Sequence, residues 1–209
     1  MRRSVAAALA LALLTLAGCG GAQAPAAGPG GPWRLGYDGY GHVSASTHDG
    51  AVHLTLQPAR ATSPAQTHAA LVLSHSSWQD LTVEIRVRTN YQLRQPHPNP
   101  WEVGWILWHY VDDQHFYYIA LKPNGWELGK ADPSYPGQQR YLGTEARPAF
   151  PPDRWYAVRV QQRGDAIQVS VDGHLLVRFV DTQRPYLSGR VGLYVEDASA
   201  TFQPVTFAR

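Results

Sequence analysis

A single cysteine, Cys19, stands in a chain of 209 residues. No intrachain disulfide is available, so the fold must hold by packing. Lysine is scarce as well: Lys122 and Lys130 are the only two, and arginine supplies the remaining positive charge. Charged residues make up 16% of the chain, which is low. The 18 basic and 16 acidic residues give a formal charge of +2. Without Arg2 and Arg3, which sit in a segment read below as removable, the balance is neutral. Neutrality leaves no general field for nucleic acid or for an anionic membrane. No apolar run reaches the length of a spanning helix; Val5 to Leu16 is only about a dozen residues. No stretch has a convincing amphipathic helical period. The nine histidines show no zinc-ligand spacing. There is no glycine-rich phosphate loop and no Gly-x-Ser-x-Gly turn.

What remains is aromatic and rich in turns. Aromatics are 11%, and 19 glycines and 16 prolines punctuate the chain. This is the composition of a β protein with one substantial core. Leu81 to Thr89 alternates most cleanly: Leu81, Val83, Ile85 and Val87 face one way, and Thr82, Glu84, Arg86 and Arg88 the other. That polar side is either a solvated charge ladder or an addition to a binding sheet through Glu84 and Arg86. An early strand lies within Trp33 to Ser46. Further strands are predicted at Ala51 to Leu56, His68 to His75, Gln138 to Gly143, Trp155 to Gln161, Ala166 to Asp172, His174 to Val180, Arg190 to Val195 and Thr201 to Phe207. Pro204 suits an edge or a bulge in the last. About a dozen strands at roughly ten-residue spacing predict an all-β, two-sheet antiparallel sandwich or jelly roll.

The N-terminus carries a different signal. Met1-Arg2-Arg3, the apolar run and Leu16-Ala17-Gly18-Cys19 resemble a bacterial lipoprotein signal, in which the cysteine is diacylated and becomes the first residue. The resemblance implies a signal peptide over 1–18, a lipidated Cys19 with a Gly/Ala/Pro-rich tether over 19–32, and a domain over 33–209. Acyl chains would hold that domain outside the cytoplasm.

Trp101 to Lys130 holds four of the seven tryptophans. It reads as three strands with turns at Asp112-Asp113-Gln114 and Pro123-Asn124-Gly125. With Asn124-Gly125 as a type I′ loop, Lys122 pairs with Glu127 and Leu121 with Leu128. A first loop of two or four residues pairs Tyr110 with Tyr117, His109 with Tyr118 and Trp108 with Ile119; a three-residue loop would flip the first strand. One face then carries Ile106, Trp108, Tyr110, Tyr117, Ile119, Leu121 and Leu128. The other carries Trp105, Leu107, His109, Tyr118, Ala120, Lys122 and Glu127. Flat rings beside small residues, with His, Lys and Glu to bond hydroxyls, are what a sugar-binding sheet needs. The same face would also serve as a second covered surface, under a loop or another chain.

The order Gly-Trp-Ile-Leu-Trp-His-Tyr, Asp-Asp, FYYIALKPNGWELGK, then WYAVRV, IQVSVDG and GRVGLY resembles the concanavalin A-like jelly-roll superfamily. Within it the chain is most similar to laminin-G-like modules and the 3-keto-disaccharide hydrolase domain, over about Trp33 to Arg209. The resemblance implies a concave sheet that meets carbohydrate, and often a structural calcium (Ca2+). Glu196 and Asp197 suit that calcium position, with Asp38 or Asp49 nearby. The Glu-x-Asp-x-Glu and Glu-x-Asp-x-x-Glu spacings of family 16 glycoside hydrolases, which set nucleophile and acid on one strand face, are absent. So is the Gln-[Ile/Val]-His pattern of alginate lyases.

An oligo- or polysaccharide partner is therefore expected at Trp101, Trp105, Tyr118, Lys122, Glu84 and Arg86. His109 and Glu127 are the candidate catalytic pair for acid–base work, although Lys122–Glu127 reads equally as a plain cross-strand ion pair. Three readings stay open. The first is a lipid-anchored, extracytoplasmic carbohydrate-binding module. The second is a glycoside-processing hydrolase of the 3-keto-disaccharide hydrolase type. The third is a protein-interaction module of the cell envelope. Nucleic acid is not expected, and a membrane enters only through the anchor.

Overall fold

The computed structural model describes residues 31–208. The expected lipoprotein signal, Cys19 and nearly all of the expected tether lie outside the described residues. In chain order the strands are β1 (Trp33–Tyr37), β2 (His42–His48), β3 (Ala51–Gln57), β4 (Ala69–Trp78), β5 (Leu81–Gln92), β6 (Gly104–Asp112) and β7 (His115–Lys122). There follow β8 (Gly125–Ala131), β9 (Gln139–Glu145), β10 (Tyr156–Arg163), β11 (Ala166–Val171), β12 (His174–Val180), β13 (Gly189–Glu196) and β14 (Ala198–Ala208). Among the described residues, one 3-10 turn at Pro136–Gln138 is the only helical element.

Two antiparallel sheets form a jelly-roll sandwich. The first runs β1-β4-β13-β6-β7-β8-β9 and the second β12-β11-β10-β5-β14-β3-β2. The alternation read from the sequence is the reason. Leu81, Val83, Ile85 and Val87 turn inward with Leu54, Val158, Val160, Val169 and Phe202. They meet Val72, Ile106, Trp108, Tyr117, Ile119, Leu128 and Leu193 from the first sheet. Each such side chain contributes about 1.5–3 kcal/mol on burial. Pro204 sits at a bulge in β14, beyond the last pair with β3 at Phe202.

The central meander is present, but both registers differ from expectation by two residues over most of their length. In β7–β8, Lys122 pairs with Gly125, Ala120 with Glu127 and Ile119 with Leu128. The loop is therefore Pro123-Asn124, not Asn124-Gly125. Proline fixes the φ of a first corner residue and cannot be displaced from it. Gly125 instead serves close approach: at φ 135°, a Cβ there would lie 2.0 Å from the Glu145 carbonyl oxygen. In β6–β7 the expected register holds at the turn, where Asp112 pairs with His115, but beyond it Trp108 pairs with Tyr117 and Leu107 with Tyr118. A bulge between Trp108 and Asp112 absorbs the difference, with His109 at φ 47°. Because the strand period is two, these slips keep the faces of Trp105 to Trp108 and of Tyr117 to Lys122. The bulge does move Tyr110 and His109 off theirs.

Candidate functional site

Direct partners in an antiparallel ladder share a face. On the outer face of the first sheet one row crosses Tyr37, Leu71, Tyr194, Trp105, Ala120 and Glu127. The next crosses Leu73, Gly192, Leu107, Tyr118, Gly129 and Tyr141.

The middle of this face is closed. Trp105 stacks on Tyr118 with centroids 4.6 Å apart, and meets Tyr194 edge-on at 5.5 Å. Its indole N–H donates to the Trp101 carbonyl at 2.8 Å. Gly129 makes room for Tyr118, since a Cβ there would lie 2.3 Å from the phenol oxygen. Trp105 is 5% exposed and Tyr118 1%. With Leu71, Leu73, Val103, Leu107, Tyr110 and Ala120 they form a second apolar cluster, against which Trp101, Phe116 and Tyr194 pack. The expected open aromatic floor is thus covered, and its polar groups lie at two margins, where Tyr37 and Tyr141 are exposed and Glu196 is 6% exposed.

At one margin, Glu127 accepts from Lys122 Nζ through Oε2 at 2.8 Å and from the Tyr118 hydroxyl through Oε1 at 2.7 Å. The Tyr118 oxygen also accepts from Gln139 Nε2. Burial, then the Glu127 charge, pushes the Tyr118 hydroxyl far above its usual range. Tyr141 stands beside this chain, 54% exposed. Lys122 and Glu127 thus face one way, as expected, but Glu127 has both oxygens engaged and is no free base.

At the other margin, the Tyr194 hydroxyl donates to Glu196 Oε2 at 3.0 Å, and the Tyr110 hydroxyl to Asp113 Oδ1 at 2.8 Å. Burial pushes the Glu196 carboxyl up to about 7, aided by the charges of Asp197 and Glu102 and opposed by the hydrogen bonds of Tyr194 and Trp101. Near neutral pH this carboxyl can give or take a proton. Burial, with Asp113 next, raises the Tyr37 hydroxyl, although the residue as a whole remains 37% exposed.

Three expectations need correction. His109 does not join Tyr118 and Glu127. The bulge carries it away, and its Nδ1 and Nε2 lie 2.7 Å from the carbonyl oxygens of Tyr186 and Gln79. Burial lowers its pKa. A neutral ring carries one N–H, so it donates to one of these carbonyls and packs against the other, held between two loops and away from Tyr118 and Glu127. Glu84 and Arg86 sit on β5 in the second sheet, outward-facing, on the opposite side of the sandwich from Lys122. Glu196 and Asp197 do not fit a calcium ion. The Asp197 carboxylate is already bound by Arg94, which also bonds Glu102 at 2.7 Å. Among the described residues no group of three or more His, Cys, Asp or Glu side chains is placed to hold a metal.

Tyr37, Tyr194, Gln139 and Tyr141 are not among the candidate site residues of the sequence, and Asp113 is read there as part of a turn. Tyr194 was within reach, two residues before Glu196 on one strand face. Tyr37 was not, because its place depends on the β1-β4-β13-β6 order.

A family model described as a 3-keto-alpha-glucoside-1,2-lyase-like domain matches residues 28–208. No curated protein matches the chain. Among solved structures, the carbohydrate binding module CBM66 from Bacillus subtilis is similar at 16% identity and a TM-score of 0.61, over 85% of this chain and 96% of that one. A prokaryotic beta-1,3-1,4-glucanase (lichenase) derived from a mouse hindgut metagenome is similar at 13% identity and a TM-score of 0.52, over 77% and 79%. Identities this low establish the shared sandwich fold.

Proposed function

The chain belongs to the 3-keto-alpha-glucoside-1,2-lyase-like family, and from that premise we propose that the outer face of its first sheet receives a saccharide. One observation carries this reading. A single registered face sets Tyr194, Trp105 and Tyr118 between two polar margins, one of Glu196, Tyr37 and Asp113, the other of Lys122, Glu127, Gln139 and Tyr141. The exposed Tyr37 and Tyr141 rings at the margins offer flat surfaces to sugar C–H groups, while carboxylates, an amide and an ammonium fix hydroxyls. The fold shared with a carbohydrate binding module supports it.

A second reading is favoured by Glu196 alone. In a 3-keto glucoside the ketone acidifies the C2 proton. A base can take that proton as the C1–O bond breaks, the leaving oxygen is protonated, and a C1–C2 double bond conjugated with the ketone remains. Glu196, its carboxyl raised to about 7 beside Tyr194, is the group suited to that transfer.

A glycan panel that includes a 3-keto glucoside, read by thermal shift and by ultraviolet absorbance of an enone, tests both. Stabilisation without absorbance supports binding alone. Absorbance that disappears in Glu196→Gln while the thermal shift persists supports elimination. No shift with any glycan would sink the saccharide reading and leave an interface for another envelope protein. The extracytoplasmic, lipid-anchored setting rests on Leu16 to Cys19; palmitate labelling that survives Cys19→Ser would refute it.

A further inference from the structure

The outer face of the second sheet is unlike the first. Its outward positions carry Arg178 on β12, Arg159 and Arg163 on β10, and Arg86 and Arg88 on β5. Glu84 is the one carboxylate at an outward strand position of this sheet among the described residues. Arg86, Arg159, Arg163 and Arg178 are exposed. Among the described residues the one ion pair to these arginines is Arg88–Asp153, long at 3.9 Å. Elsewhere Arg94, Arg140 and Arg184 each meet a carboxylate closely. The outer face of this sheet thus holds five arginines against one outward carboxylate, and none of the five has a close carboxylate partner among the described residues.

The arginines are arranged. Arg178 pairs across the ladder with Gln168, Arg159 with Glu84, Arg86 with Gln203 and Arg88 with Thr201. They form a diagonal from β12 to β5, which His53 on β3 continues. With strands about 4.8 Å apart, the step from β12 to β3 spans about 24 Å. Trp155 lies against this diagonal, with the Arg86 and Arg88 guanidinium carbons 5.4 and 5.3 Å from its ring centroid and His53 edge-on at 5.6 Å. A ring between two guanidinium groups limits their freedom. Among the arginines stand Gln161, Gln168 and Gln203; Gln168 and Gln203 accept from Arg178 and Arg86 at 2.9 and 3.2 Å and keep amide N–H groups suited to sugar hydroxyls.

We propose that this face binds an acidic glycan, a linear polysaccharide carrying carboxylate or sulfate groups. Guanidinium forks bind such groups bidentately, and their spacing follows an extended chain of several sugar units. The amides among them favour a glycan over a lipid surface, which would need exposed apolar anchors. The proposal is independent of the saccharide reading for the first sheet.

Affinity electrophoresis of the full chain through gels containing polygalacturonate or neutral dextran tests it. Retardation is expected with polygalacturonate only, weakening steeply with added salt. The Arg86→Gln/Arg159→Gln double variant should bind roughly tenfold weaker or worse, with its melting temperature unchanged because both side chains are exposed. Equal retardation by dextran, no retardation at all, or an unaffected double variant would overturn the proposal. Capture by phosphatidylglycerol vesicles without retardation by polygalacturonate would overturn it in favour of a membrane surface.

Discussion

The two lysines of the chain make a natural experiment. Lys122 on β7 and Lys130 on β8 each hold a carboxylate at 2.8 Å, Glu127 and Asp181 respectively. Distance does not separate them, but burial and partner count do. Lys130 and Asp181 have fully buried side chains. All three Nζ protons are used, on Asp181 and on the carbonyls of Gln183 and Arg184. Asp181 also accepts from the Tyr117 hydroxyl at 2.6 Å and from Arg140 at 2.9 Å. Burial alone would raise the Asp181 carboxyl, but Lys130 and Tyr117 outweigh it and hold it below the usual carboxylate range. This group clamps the loop after β12 onto the first sheet. Lys122 and Glu127 keep 13% and 12% of their side chains exposed and form a rim that a ligand can reach. One ion-pair geometry thus serves the fold in one place and a site in the other.

The sharpest way to break this comparison is Lys130→Met. It removes the buried cation from Asp181, leaving Arg140 and Tyr117, and takes the donor from the Gln183 and Arg184 carbonyls, so it should cost about 3 kcal/mol in urea unfolding, the low end for a buried pair that loses one partner. A cost comparable to that of an exposed pair would erase the distinction.

An effect of intermediate size should come from pH. The folded pKa of Glu196 lies above its unfolded value, so its stabilising contribution is complete below the unfolded pKa and is lost as pH rises through about 7. Asp181 has the opposite sign: its contribution is present above the unfolded pKa and is lost as pH falls through the depressed folded one. Melting temperatures across pH should therefore decline from mildly acid to mildly alkaline conditions in the wild type, and Glu196→Gln should flatten that decline. A decline unchanged in the variant would remove Glu196 as its cause.

The smallest expected stability change is Lys122→Met, about 1 kcal/mol, accompanied by weaker saccharide binding in the same glycan panel. A large loss of stability without a change in binding would make Lys122 a second clamp.

Much of the fold was legible because alternation is local. The inward Leu81, Val83, Ile85 and Val87 and the shared face of Trp105, Tyr118, Lys122 and Glu127 both follow from neighbours along the chain. The pairing partners were less legible. Registers two residues apart present the same faces, so a pattern of period two cannot choose between them; Pro123 and the His109 bulge chose. A histidine in the left-handed region is uncommon and leaves no mark in the sequence.

The sequence by itself determined a two-sheet sandwich, which residues of each clear strand turn inward, and the presence of Lys122 and Glu127 on the outer face of the first sheet. Tertiary structure alone decided the rest. The β1-β4-β13-β6 crossovers brought Tyr37 to Tyr194 and Glu196. Trp101 and Val103, between β5 and β6, closed the aromatic floor. Strand order in the second sheet drew arginines from three separate stretches into one unneutralised face. Net charge and periodicity are sums over the chain or its neighbours, whereas a site is a juxtaposition of strands that the chain visits far apart.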